Sequence, residues 1–207
     1  MSTKKSKQTK ERIIANAAAL FNERGYHGTS MADIMAATGL TKGGIYGNFK
    51  GGGTGKKGVK EEIAIAAFRH TTDTVAAAIR ARTSVINHSV DKLKAAVFFY
   101  KEKILTPPIT NGCPIQNTIV DAADTELALG ATARSVLAAW QTSLQRTIER
   151  GITNGEIRPE VDAEQLAVTY IGMLEGGIFL AKLRNDRTQF HILADQLLVE
   201  LEKIRLS

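Results

Sequence analysis

The chain has 207 residues, of which 43% are hydrophobic and only 6% aromatic, with 4 prolines. That is enough apolar material for one large domain or a small and a medium one, and the dominance of Ala, Ile and Leu favours helices over sheets. The basic start, MSTKKSKQTKER, leads into an amphipathic run and not into an apolar stretch with a small-residue cleavage site. No window approaches the roughly 20 continuous apolar residues of a membrane span, so the expected location is cytoplasmic. The single cysteine, Cys113, excludes an intrachain disulfide and a CxxC site.

The net charge of +6 is unevenly placed. Residues 1–60 hold eleven lysines and arginines against three acidic residues, or +8, which leaves −2 for the other 147. Basicity gathered at one end is the electrostatic footprint expected of a surface that meets a polyanion. A solvated basic tail accounts equally well for Lys4, Lys5 and Lys7.

Apolar residues Ile13, Ile14, Ala17, Leu20 and Phe21 recur at helical spacing and predict a first helix over residues 9–23, with Gly25 at its C-terminal cap. Ser30 and Asp33 form an S-x-x-D pair ahead of a second helix that runs from about Met31 to near Gly39. Thr41 is the next N-cap, and Ile45 and Phe49 share one face of the third helix in KGGIYGNF. Two short helices joined by T-G-L have the layout of a helix-turn-helix. KGGGTGKKG, residues 50–58, reads as a connecting loop and marks a boundary.

Beyond it, helices are expected over 59–82 and 88–105, broken by Pro107 and Pro108, then over 113–123, 126–154, 162–183 and 187–205. The fold class is therefore all-α, with about nine helices and no strand. The division expected is an N-terminal helix-turn-helix domain with its connecting loop, residues 1–59, and a helical bundle, residues 60–207, to which the family resemblance given below assigns regulation, ligand binding and dimerisation.

In a helix-turn-helix the second helix enters the major groove while its inner face is held by apolar side chains. Ile34, Leu40, Ile45 and Phe49 supply the inner face, and Thr41, Lys42, Gly43, Gly44, Tyr46 and Asn48 the outer one. Three glycines in KGGIYGNF cost roughly 1 kcal/mol each against alanine in a helix interior, so packing or a partner must compensate. Missing side chains let a backbone approach phosphate and sugar closely.

The run GYHGTSMADIMAATGLTKGGIYGNFK, followed by KEEI, resembles the DNA-binding signature of the tetracycline-repressor (TetR) family of bacterial transcriptional regulators. The likeness covers about residues 9–63 through G-x-x-x-T-S, D-I-x-x-x-x-G, T-K-G and I-Y-x-N-F, and NGEIRPEVDAEQLA resembles the family's C-terminal half. It implies a homodimeric regulator, most often a repressor, that grips a palindromic operator in double-stranded DNA and responds to a small-molecule effector. Thr29, Ser30 and Tyr46 are then expected on phosphates, Lys42, Gly43 and Gly44 over base edges, and Lys60 on the backbone. Thr41, Asn48 and Lys50 complete the expected DNA-facing set. Asn48 and Gly47 depart from the histidine or aromatic residues that family members often carry there. The ten residues between Phe49 and Lys60 exceed the usual couple, and Lys50, Lys56 and Lys57 in this insertion either add phosphate contacts or loop out passively.

For the effector, Phe98, Phe99, Cys113, Trp140, Tyr170 and Met173 are the candidate pocket residues, against the plain alternative that they fill the core. The resemblance places the dimer interface on the last two helices, where LEGGIFLAKL offers small residues and an apolar stripe. Cys113 is read first as a packed residue and second as an electrophile-sensing thiol. No cofactor or metal is expected. The glycine loop lacks G-x-x-x-x-G-K-[ST], and His27, His70, His88 and His191 sit on separate segments without H-E-x-x-H or G-x-S-x-G, so an enzyme or a helical interaction protein without DNA affinity is the remote alternative.

Overall fold

The computed structural model describes residues 2–49, 58–122 and 124–206. Among these it has nine helices and no strand: α1 (Ser2–Arg24), α2 (Met31–Thr38), α3 (Lys42–Tyr46), α4 (Val59–Thr83), α5 (Ser89–Lys103), α6 (Pro114–Ala122), α7 (Leu127–Thr153), α8 (Ala163–Arg184) and α9 (Arg187–Lys203). The all-α reading holds. Lys50 and the rest of the glycine-rich stretch, apart from Gly58, lie outside the described residues. Helix α1 starts at Ser2, not near residue 9, because Lys, Gln, Glu and Arg sustain a helix by propensity even where no apolar face is repeated.

The chain packs as two units, Met1–Asp73 with Pro114–Ser135, and Thr74–Cys113 with Val136–Ser207. Both α4 and α7 contribute to each. The sequence boundary at 59/60 falls just after the start of α4.

In the first unit, Ile13 and Ala17 of α1, Ile34 of α2, Ile45 of α3, Phe49, and Ile63 and Ala67 of α4 form one buried cluster. Full burial of each Ile or Phe is worth about 1.5–3 kcal/mol, so this small core is sufficient to fix two short helices on two long ones. The caps read in sequence are present. Ser30 Oγ accepts from Asp33 N at 3.1 Å while Ser30 N donates to Asp33 Oδ2 at 2.7 Å, and Thr41 Oγ1 accepts from Gly44 N at 3.3 Å. Gly39 ends α2 at φ 65°, a left-handed conformation that a side chain would disfavour.

In the second unit, Tyr170, Leu174, Ile178 and Ala181 of α8 face Phe190, Ala194, Leu197 and Leu201 of α9, and α5 packs on α9 through Val90, Leu93 and Val97. Lys94 to Glu202 at 2.7 Å and Lys101 to Asp195 bridge α5 to α9 at the surface. The segment after α9 returns: Arg205 pairs with Asp91, Ile157 bridges to Arg205, and Leu206 N donates to Glu156 O at 3.1 Å. Glu156 in turn accepts from Ser89 N at 2.7 Å, which holds its carboxyl below the ordinary range.

Helix α8 holds no run of about 20 continuous apolar residues, yet it is apolar on average over a membrane's length. An 18-residue window within Ala163–Arg184 has mean hydropathy 1.4 and is one-third buried, so by length and composition it is apolar enough to cross a bilayer. Charged residues at both ends and Glu175 in its middle kept this from showing as a continuous apolar run.

Gly151 of α7 stands in close packing, since a Cβ there would lie 2.6 Å from Ile157 Cδ1 and 2.8 Å from Ser89 Cβ. Gly151→Ala is expected to destabilise the protein by about 1–3 kcal/mol through overpacking, read as a lower urea midpoint.

Candidate nucleic-acid interface

Helix α3 is only five residues long and carries Gly43 and Gly44, so its geometry is imposed from below and from its ends. Ile45 and Phe49, 0% and 1% exposed, anchor the inner face, with Lys10 Nζ 4.7 Å from the Phe49 ring centre on the flank. Thr41 caps the start, and Gly47 N donates to Gly43 O at 2.9 Å at the end.

The outer face is exposed at Thr41, Lys42, Gly43 and Tyr46 and half-buried at Gly44. Tyr46 is 42% exposed, an aromatic ring in water, and Lys42 Nζ lies 5.5 Å from its ring centre. A Cβ on Gly43 would meet nothing within 4 Å. Among the described residues, nothing in the packing calls for glycine at 43, although alanine would favour the helix.

The remaining expected contacts are placed differently. Ser30 is exposed and available at the start of α2, although its hydroxyl is committed to Asp33. Thr29 is fully buried, and its Oγ1 donates to Gly25 O at 2.8 Å, so the expectation that its side chain meets phosphate is corrected: that hydroxyl closes the turn between α1 and α2. Asn48 is half-buried with its amide in use, Nδ2 donating to Gly44 O at 2.8 Å and Oδ1 accepting from Ser6 Oγ at 3.1 Å. Lys60 lies over Tyr26, Nζ 4.1 Å from the ring centre, and burial lowers its pKa against the opposing pull of Glu126 and Asp121. The Tyr26 phenol is pushed up to about 12 by burial and by the nearby Glu126 and Glu61.

Sequence reading missed what fastens this turn. Asp121 of α6 accepts from Tyr26 N at 2.5 Å and His27 N at 3.2 Å, His27 Nε2 is 2.8 Å from Thr125 Oγ1, and Asn117 Nδ2 donates to Asn22 Oδ1 at 2.9 Å. Gly25 sits against the same carboxylate at φ 75°, where a Cβ would approach Asp121 Oδ2 to 2.8 Å. These partners are about 95 positions apart, and no local pattern marks them. A small crevice of about 30 Å3 in the same unit is lined by Phe21, Tyr26, Phe68, Asn117 and their neighbours, none of them among the expected effector residues.

Of those, Phe99, Cys113 and Tyr170 are buried in the second unit, with Tyr170 Oη donating to Leu93 O at 2.9 Å. Trp140 and Met173 are half-buried. Phe98 is 50% exposed, which corrects its assignment to an interior pocket: three consecutive aromatics on a helix cannot all face inward, and Phe99 and Tyr100 take the buried positions.

The five-residue helix, its cap and its glycine-lined outer face over an apolar anchor define a helix-turn-helix DNA-binding protein. Residues 13–51 match the family described as bacterial regulatory proteins, tetR family, and residues 89–197 match the tetracyclin repressor-like C-terminal domain. The chain belongs to the TetR family of transcriptional regulators. It is 30% identical over 194 residues to the HTH-type transcriptional regulator Rv0196 of Mycobacterium tuberculosis strain H37Rv, covering 91% of each chain. A TetR transcriptional regulator from Chloroflexus aurantiacus superposes with a TM-score of 0.89 at 37% identity, over 99% of this chain and 100% of that one. The regulator CifR, solved with 26-bp double-strand operator DNA, shares the fold with a TM-score of 0.77 at 18% identity, over 91% of this chain and 94% of that one.

Asp121→Ala leaves the Tyr26 and His27 amides without their acceptor and is expected to cost about 1–3 kcal/mol. Hydrogen exchange at those two amides, faster by one to two orders of magnitude than in the parent, is the measurement.

Proposed function

We propose that the protein is a ligand-responsive repressor that binds a palindromic operator as a homodimer, with residues 1–59 as the reading head and 60–207 as the sensing and dimerisation part. The observation that carries the DNA half is Gly43: an exposed glycine with open space above it, between Lys42 and the water-facing ring of Tyr46. A protein that only had to fold gains by an alanine there; a backbone that must approach a groove does not. Lys42, Gly43 and Gly44 read base edges, while Ser30, Thr41 and Tyr46 position the helix on phosphates. Lys60 and Asn48 join by leaving their present partners. Binding to genomic DNA places the protein in the bacterial cytoplasm.

Gly43→Ala should leave the folded state as stable as before or up to about 1 kcal/mol more stable, yet weaken operator binding at least tenfold. Lys42→Ala should weaken binding and lower the salt dependence, the log Kd against log salt slope falling by about 1. Titration of the protein's own upstream DNA against unrelated DNA of equal length, over a salt series, reads both. Unchanged affinity in both variants would sink the reading.

The dimer half rests on the outer faces of α8 and α9. Val168, Phe179 and Leu183 on one and Ile192 and Val199 on the other are each at least half exposed, and a Cβ at Gly172 or Gly176 would meet nothing within 4 Å. A face of this character is covered in a stable soluble protein, and the apolar length of α8 follows from that need. Phe179→Glu with Leu183→Glu is expected to shift the protein from dimer to monomer in sedimentation at micromolar concentration, and to abolish operator retention with α-helical content unchanged.

The effector is a small molecule received in the second unit among Phe99, Cys113, Trp140, Tyr170 and Met173. Burial of Cys113 favours packing over thiol chemistry. Repression relieved by the effector is the expected direction, tested by adding the effector to the operator complex.

A further inference from the structure

Glu175 occupies the middle of α8 in an otherwise apolar run, Met-Leu-Glu-Gly-Gly-Ile-Phe-Leu. The residue as a whole is half-buried, yet both carboxylate oxygens are shut from solvent and neither makes a well-formed hydrogen bond. Long acidic side chains ordinarily bury the stem and leave the head in water; here the head is turned inward. Burial raises its pKa, and the Cys113 thiol, a weak donor, opposes the shift.

The surroundings define what is missing. Tyr100 of α5 feels both Cys113 and Glu175, so the three converge within the second unit from α5, α8 and the residue preceding α6. Tyr170 cannot serve as the donor, because its hydroxyl already donates to Leu93 O. Aromatic faces stand next to this cluster: the Phe99 and Tyr100 ring centres are 5.6 Å apart, and those of Tyr100 and Phe190 6.5 Å.

A carboxylate offers about four acceptor positions, and one thiol leaves most of them unmet in a site that water does not reach. A glutamine of the same size can donate as well as accept, and a leucine would pack. What a glutamate adds is charge. The matching species is a cation carrying N–H donors, whose apolar body rests against aromatic rings.

We propose that Glu175 anchors the effector, and that the effector is a small organic cation with at least two N–H donors attached to a flat apolar body. This rests on the reading of the second unit as the sensing part. The carboxylate oxygens are shut from solvent, so a bound cation would replace the missing partners and not surface water. Cys113, the thiol beside this carboxylate, directly precedes Pro114, the first residue of α6.

The test uses the full chain and a matched pair of probes, benzamidine and the neutral benzamide, followed by calorimetric titration on the parent and on Glu175→Gln. Benzamidine is expected to bind the parent at least tenfold more tightly than benzamide, and the substitution to erase that preference. Ligand-free Glu175→Gln should unfold at the same temperature as the parent or a higher one, since an unmatched buried charge has been removed. Glu175→Met, of similar length and uncharged, provides the same readings where the glutamine variant does not fold. Absence of benzamidine binding overturns the assignment, as does equal binding of both probes or a benzamidine affinity that survives the substitution together with a fall in unfolding temperature. Equal binding of both probes with release of operator retains the sensing role and removes only the cation. Operator retention measured without any probe reports separately on the DNA reading.

Discussion

Burial of Ile45 and Phe49 beneath a helix that cannot hold itself is the constraint on which the reading head depends. Two glycines in five residues remove much of the intrinsic drive toward helix, and the helix is too short to gain from cooperativity. Truncation of a buried Ile or Phe to alanine typically costs about 2–5 kcal/mol, well above what the missing propensity takes away. Anchorage from below means that the outer face does not have to supply apolar contacts to the core, although Thr41 caps the helix and Asn48 ties its end to Ser6. Gly43 on that face stands in open space.

The head also needs a fixed entry into α2, and polar chemistry provides it. Gly25 turns the chain with a positive φ, Thr29 closes the turn from inside, and the Asp121 carboxylate gathers the Tyr26 and His27 amides. Each contact is modest alone. Together they tie the entry of α2 to α6, one side chain of which carries the central bonds.

Elements whose causes are local were legible in the sequence. Ser30 and Thr41 cap the helices they were expected to cap, because a cap is an interaction over three residues, and the apolar periodicity placed every helix to within a few positions except the start of α1. Residues whose environment depends on distant parts of the chain were not. Thr29 and Ser30 look alike in sequence, but one lies under the turn and the other on it. Phe98 and Phe99 are neighbours of equal hydrophobicity that point 100° apart. Asp121 gave no signal, since its partners lie about 95 residues away, and Glu175 within an apolar stripe reads as a solvated charge until its oxygens are found indoors.

The return of the chain after α9 has a consequence for how the molecule is made. Arg205 meets Asp91 and His88 at the start of α5, and Leu206 secures the loop after α7, so the second unit is stitched by its latest residues. The first unit is complete at Ser135, seventy residues before Arg205. On the ribosome, at about 5–20 residues per second, the reading head can be finished several seconds before the sensing part closes. During that interval the chain holds the residues of the first unit without the element that closes the second, and the α9-facing side of α5 is still uncovered.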